Sequence, residues 1–241
     1  GKILLLFSSF TNKEKVDQIL ERNLFEFEEL AAEKCGMYEK LYVYLISQSD
    51  VRKNIISHGC SDLKYLAKGS RGFVLSGEWK TGSLVKSHIV SGKKVLVAIK
   101  VRNPSSSAPG TLLLEGKWLK ELNKKGIGPR LYYSHEKFLV LEKVDGVSLD
   151  KFIEKVGVNS KVGRDVLVLV LKQCFVMDEI KVSKDEMHRP YANVLVVEDK
   201  GKLDRVVLLD FERCRRDLEP QNVCQFLSFL MKSEVIDLEL G

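Results

Sequence analysis

The chain has 241 residues, of which 44% are hydrophobic and 30% charged, and its net charge is +6. This length and balance exclude a disordered or fibrous chain and suit one large domain, or one domain with a small appendage, able to bury a sizeable core. No apolar run approaches the roughly 18–20 residues of a membrane span, and five scattered cysteines with no C-x-x-C pair argue for a reduced, cytoplasmic protein without a zinc site.

Residues 1–60 hold 8 Lys/Arg against 9 Asp/Glu and read as a separate small unit. The Ile3–Phe7 run is too short for a signal core and has no small-residue cleavage site. Thr11–Glu14 matches a capping box ahead of Val16, Ile19 and Leu20, so a helix starts there. The Glu, Leu and Ala content of Leu24–Cys35 predicts more helix, and Leu41–Ser47, dense in Tyr, Val, Leu and Ile, predicts a strand. This unit carries no chemical motif; it is expected to pack on its neighbour, with docking or dimerisation as the other reading.

From Leu63 the pattern turns to strands. Leu63–Lys68, Phe73–Trp79 and Lys94–Val101 are three, with Gly69–Gly72 as the first turn. Asn103–Gly110, with two prolines and three serines, is a loop. Thr111–Lys125 has helical spacing and ends at Gly126, and Leu131–Ser134 with Phe138–Glu142 makes a strand pair. After Asp145-Gly146 the composition becomes helical. Ser148 can cap a helix through Val156, Lys161–Ile180 reads as a long helix, and Asp217–Lys232 as a final amphipathic one. Val194–Val197 and Val206–Leu209 are short strands flanking Gly201. The expected units are 1–60, 61–145 and 146–241.

Several short motifs fall on this frame in one order. The glycine turn Gly69-Ser70-Arg71-Gly72 leaves room for phosphates against backbone N–H groups. Lys100 closes the apolar strand VLVAIK, a kinase-type signature. Glu115 sits among Leu112, Leu113, Leu114, Leu119 and Leu122, where a carboxylate is costly unless paired, and Lys100 is the natural partner. Asn193 precedes one apolar strand and Asp210-Phe211-Glu212 follows the next, so a two-ligand magnesium site, Asn193 with Asp210, is expected across a hairpin. The Glu142–Gly146 run offers backbone groups, at Glu142 and Val144, that can read an adenine edge.

In this order the motifs resemble a protein kinase, and the phrases LAKGSRGFV, KKVLVAIKVR, GIGPRLYY, FLVLEKVDGVSL, EMHRPYANVLV and LLDFERCRR are similar to the small atypical archaeal Ser/Thr kinases, which include the RIO kinases and the kinase of the KEOPS tRNA-modification complex. The resemblance covers about Leu63 to Leu230 and implies an α+β, two-lobed protein-kinase-like fold: a five-stranded antiparallel N-lobe with one helix and a reduced helical C-lobe, beside the small N-terminal unit. It implies ATP and magnesium as cofactors. Two departures stand out. About 30 residues follow Asp210, without an Ala-Pro-Glu motif or room for a large peptide-docking subdomain. The His-Arg-Asp loop is also missing in its standard form: five residues before Asn193 stands His188, and the nearest acids are Asp185 and Glu186.

The expected activity is therefore ATP-dependent transfer to a Ser/Thr hydroxyl of a protein, with Lys100 on the phosphates and Glu186, or else His188, orienting the hydroxyl. The alternative is an ATP-binding pseudokinase, ATPase or scaffold, because the nucleotide and metal set is whole while the base is displaced. A small-molecule phosphotransferase is a third reading, weakened by the lack of a clear catalytic Asp. Residues 61–241 hold 31 Lys/Arg against 24 Asp/Glu. With Arg213, Arg215 and Arg216 this points to an anionic partner, tRNA or an rRNA-containing complex.

Overall fold

The computed structural model describes residues 1–68, 72–80, 94–102 and 111–232. The chain divides into two compact units: Gly1–Ser107 with Lys137–Val140, and Ala108–Glu136 with Leu141–Gly241.

The first unit opens with β1 (Lys2–Ser8), α1 (Lys13–Arg22), β2 (Phe25–Cys35) and β3 (Glu39–Gln48), the strands forming an antiparallel sheet of order β1-β3-β2. Here the expected helix over Leu24–Cys35 is corrected: the segment is strand β2. Asn23 closes α1 by giving its side-chain amide to the Ile19 carbonyl, and Leu24 takes a left-handed φ of 59°, which turns the chain out of the helix. Phe25 and Phe27 then alternate with Glu26 and Glu28, a period of two that buries one face. Helix propensity in Glu, Leu and Ala yields to ten residue pairings with β3. The phenyl rings join Leu5, Phe7, Tyr42, Tyr44 and Ile46 under Val16 and Leu20 of α1. The cap of α1 is Asn12 rather than Thr11: Thr11 belongs to a 3₁₀ turn, and the Asn12 side chain accepts from the Lys15 N–H at 3.1 Å.

A helix that sequence reading missed, α2 (Asp50–Ser57), is capped by Ser49 and leads into β4 (Cys60–Lys68). β4, β5 (Gly72–Lys80) and β6 (Lys94–Arg102) form an antiparallel meander. Gly72 pairs with Arg102 at its edge, and a Cβ there would overlap the Val101 carbonyl oxygen, so only glycine fits. Val97, Ile99 and Val101 are buried, which sends Lys100, opposite Val74, to the other face of β6. In sequence the sheet is completed by β7 (Leu131–Ser134) and β8 (Phe138–Glu142), in the order β4-β5-β6-β8-β7.

The second unit begins with α3 (Thr111–Leu122), extended by a 3₁₀ turn over Asn123–Lys125 that ends at left-handed Gly126. The Asn123 side chain fixes the following turn, donating to the Ile127 and Pro129 carbonyls and accepting from Leu131 N–H. β9 (Val147–Ser148) pairs with β11 (Val194–Asp199), which pairs in turn with β12 (Lys202–Leu208). Helices α4 (Leu149–Val156) and α5 (Lys161–Glu179) follow their predicted spans. β10 (Val182–Ser183) pairs with β13 (Arg215–Arg216). The last helix, α6 (Asn222–Lys232), starts later than the expected Asp217. Pro220 disfavours a helical Glu219, and the Asp217 carboxylate ties the Glu219 N–H into a local turn. Asp178 then caps α6, accepting from the N–H groups of Asn222 and Val223. Among the described residues no helix is long and apolar enough to cross a membrane.

Candidate active site

The second unit gathers a set of carboxylates around one buried lysine. β12 ends at Leu208, and two residues on Asp210 adopts a left-handed φ of 60°. Aspartate tolerates that region better than most side chains, and the twist drives Phe211 wholly into the core. Glu115 of α3, Asp210 and Glu212 each bring a carboxylate oxygen within 4.8 Å of the others, and Glu115 and Glu212 are buried.

Lys184, 2% exposed, lies at the same place. Its ammonium donates to the Asp210 backbone carbonyl at 2.5 Å and sits 5.2 Å from the centre of the Phe211 ring. Burial pushes the Lys184 pKa below its ordinary value, against the opposing pull of Cys214, Asp210, Glu186 and Glu115. Burial likewise pushes the neighbouring Cys214 thiol up to about 12, so it stays protonated at neutral pH. The lysine is placed by Asn222, whose side-chain oxygen takes the Lys184 N–H at 2.7 Å and whose amide donates to the Val182 carbonyl and to Asp178. The charge-assisted bond from Lys184 to Asp210 supports a backbone conformation that costs on the order of 1–2 kcal/mol for a residue with a Cβ.

Beside this cluster the β11–β12 hairpin carries Asn193. Its carbonyl accepts from Leu209 N–H at 2.8 Å, so Asn193 is tied to the residue before Asp210. The Asn193 amide donates to Glu186 Oε2 at 2.9 Å, and Arg213 Nη1 lies 3.0 Å from Glu186 Oε1. Both oxygens of Glu186 are thus held. His188 and Arg189 are exposed, and they line a separate cavity of about 330 Å³ with Tyr191, Ser228, Phe229 and Lys232.

The remaining expected residues lie as follows. Gly69, Ser70 and Arg71 are outside the described residues; Gly72 and Lys100 are on β5 and β6 of the first unit. Glu142 ends β8 with its carboxylate on Arg205 at 2.5 Å and on the Arg130 N–H at 3.2 Å. Its burial raises the pKa, but these two partners outweigh it, and the carboxyl lies below its usual range. Val144 is half-buried beyond it. Sequence reading missed Lys184, since a lone lysine after Val182-Ser183 has no local pattern. It placed Glu212 in the Asp210-Phe211-Glu212 motif without seeing a third carboxylate beside Glu115 and Asp210.

Oxygen donors from carboxylates, with the Asn193 amide oxygen left over after Nδ2 is given to Glu186, fit a hard cation such as magnesium better than a soft one. No protein-family model matches the chain, and no curated protein matches it. Among solved structures it is similar to the Rio2 kinase from Chaetomium thermophilum in its ADP/Mg2+-phosphoaspartate complex. The TM-score is 0.55 at 11% identity, covering 95% of this chain and 72% of that one. This likeness shows a kinase-like fold: mixed α and β, with several antiparallel sheets.

Proposed function

We propose that the protein is an ATP- and magnesium-dependent phosphotransferase, an atypical Ser/Thr protein kinase of the cytoplasm, akin to the RIO kinases and the KEOPS kinase. One observation carries the reading: Glu186 is held by Asn193 and Arg213, while Asn193 is fastened to the residue before Asp210. That arrangement fits a base, a metal ligand from the catalytic loop and a metal ligand after the hairpin. The kinase-like fold of the Rio2 neighbour, itself a complex with ADP and Mg2+, supports it.

In this reading Asp210 and Asn193 hold the magnesium ion, which when bound offsets phosphate charge. Glu186 accepts a hydrogen bond from the acceptor hydroxyl and takes its proton as the hydroxyl oxygen bonds to the γ-phosphorus and the bond from that phosphorus to the ADP oxygen breaks. Arg213 and Asn193 keep the carboxylate in one orientation. Lys184 fixes the Asp210 backbone from beneath and touches no substrate.

A second reading, an ATP-hydrolysing switch or scaffold, is favoured by two observations. The residue five before Asn193 is the exposed His188, and the Rio2 neighbour carries a phosphoaspartate. Incubation with γ-labelled ATP, magnesium and a generic protein acceptor separates the two. Acid-stable label on Ser or Thr supports the kinase. Free phosphate with only a hydroxylamine-labile label on the protein supports the switch. Absence of Mg·ATP binding by calorimetry rules out both.

A further inference from the structure

Away from the carboxylate cluster, the outer face of α3 and its 3₁₀ extension carries a cavity of about 330 Å³ lined by Lys117, Lys120, Glu121, Lys124, Lys125 and Ile180. The helix buries Leu112, Glu115, Trp118, Leu119 and Leu122, so its other side is free to be polar. Lys117, Lys120 and Lys124 follow one another three and four residues apart, which stacks them in a single row. At about 1.5 Å per residue the row is roughly 10 Å long.

Among the described residues the one acid lining the cavity is already committed. Glu121 accepts from Arg216 at 2.5 Å, and Arg216 is anchored further by the Ile180 carbonyl at 2.8 Å and by stacking over Trp118 at 5.4 Å. Among the described residues no ion pair is made by any of the four lysines. Part of this has a structural cause, because Lys124 and Lys125 lie at the helix C-terminus, where a positive charge meets the negative end of the dipole. Lys120 falls in the last turn of α3 and shares in this, whereas Lys117 lies in the middle of the helix and gains nothing from it. Like charges three and four residues apart weaken a helix. The row therefore concentrates positive charge on one face of the helix, with the counter-charge of Glu121 withdrawn by Arg216.

We infer that this cavity is a binding site for the phosphodiester backbone of a single-stranded nucleic acid. Ammonium groups are point charges that suit phosphates without fixing a geometry. A row of about 10 Å, with each ammonium on a long flexible stem, can follow successive phosphates of a strand that bends to meet it. A lone phosphate is better held by backbone N–H groups or an arginine fork, and the lysine row provides neither. An acidic peptide with apolar side chains would need pockets for them, and among the described residues Ile180 is the only apolar one lining the cavity. The inference does not depend on the phosphotransferase reading.

The test uses the full chain, a fluorescently labelled single-stranded RNA of mixed sequence, and anisotropy titrations between about 50 and 200 mM salt. Wild type should bind, with log K falling linearly against log salt. Replacing Lys117, Lys120 and Lys124 together by Gln keeps the helix propensity. It should weaken binding at low salt at least tenfold and flatten the slope by about 2, at about 0.7 per lost phosphate contact on a single strand. The triple Arg variant should retain both. Calorimetry with Mg·ATP should read the same for wild type and the Gln variant, separating this site from the carboxylate cluster. The inference is overturned if the Gln variant keeps the wild-type affinity and slope, or if wild type fails to bind at low salt. It is equally overturned if polyglutamate displaces the RNA as well as unlabelled RNA does, since the partner would then be an acidic protein.

Discussion

Gly126 and Gly128 both stand in the left-handed region, at φ 72° and 80°, but only one of them is pressed by a neighbour. A Cβ on Gly126 meets nothing within 4 Å. A Cβ on Gly128 would meet Phe211 Cε2 at 2.8 Å, Leu119 Cδ2 at 3.0 Å and Phe211 Cζ at 3.1 Å. Phe211 and Leu119 are both fully buried, so neither can swing into solvent to make room. Gly126→Ala should cost only the left-handed strain, about 1–2 kcal/mol. Gly128→Ala should cost that strain plus overpacking of about 1–3 kcal/mol, so the pair should differ by roughly the second term. Urea denaturation of both variants measures this difference and cancels the shared backbone effect. Because Phe211 follows Asp210 directly, Gly128→Ala should also weaken Mg·ATP binding while Gly126→Ala leaves it unchanged. Equal stabilities for the two variants would refute the wedge of Phe211 against Gly128.

Asp210→Ala should abolish the magnesium dependence of ATP binding, whereas Lys100→Ala should lower ATP affinity and keep that dependence; calorimetry with and without magnesium distinguishes them. Glu186→Gln should reduce transfer by roughly 10²-fold with ATP affinity nearly unchanged, and His188→Ala should leave transfer near wild type in a labelled-phosphate assay; the reverse pattern would move the base to His188. Lys184 has a folded pKa lowered by burial, so between that value and the ordinary 10.5 the unfolded chain holds the extra proton and stability rises with pH. Cys214, raised to about 12, acts in the opposite sense above its ordinary 9.0. The Lys184 contribution is therefore read as the stability of wild type minus that of Lys184→Met, which should increase on raising the pH towards 10.5.

Strands with a strong pattern were legible from the sequence because their burial is one-sided or complete. VLVAIK reads as β6, and the apolar runs on either side of Gly201 read as β11 and β12. The hairpin followed, and with it the closeness of Asn193 to the end of β12. β2 was illegible for a physical reason: its exposed Glu and Ala residues favour a helix locally, and only pairing with β3 overrides them. Lys184 was illegible too, because its meaning depends on Asp210 and Phe211, more than twenty residues along the chain. Glu212 could be seen in the sequence, but its nearness to Glu115 depends on how α3 lies against the segment after β12.

The segment beyond Phe211 is fastened in an unusual manner. Arg213 reaches Glu186, Arg215 reaches Asp185 and Asp217, and Arg216 reaches Glu121, with the arginine side chains about half exposed in each case. Exposed pairs of this kind hold by about 0–1 kcal/mol each and fade as ions crowd in, over a screening length of about 10 Å at 0.1 M salt. The buried side chains of the hairpin, Val194, Val196, Val206, Val207 and Leu208, and Phe211 beneath are apolar and indifferent to such screening. Ionic strength thus acts on this segment as a dial separate from temperature or denaturant: it slackens the tether on Glu186 while the fold that carries it stays whole.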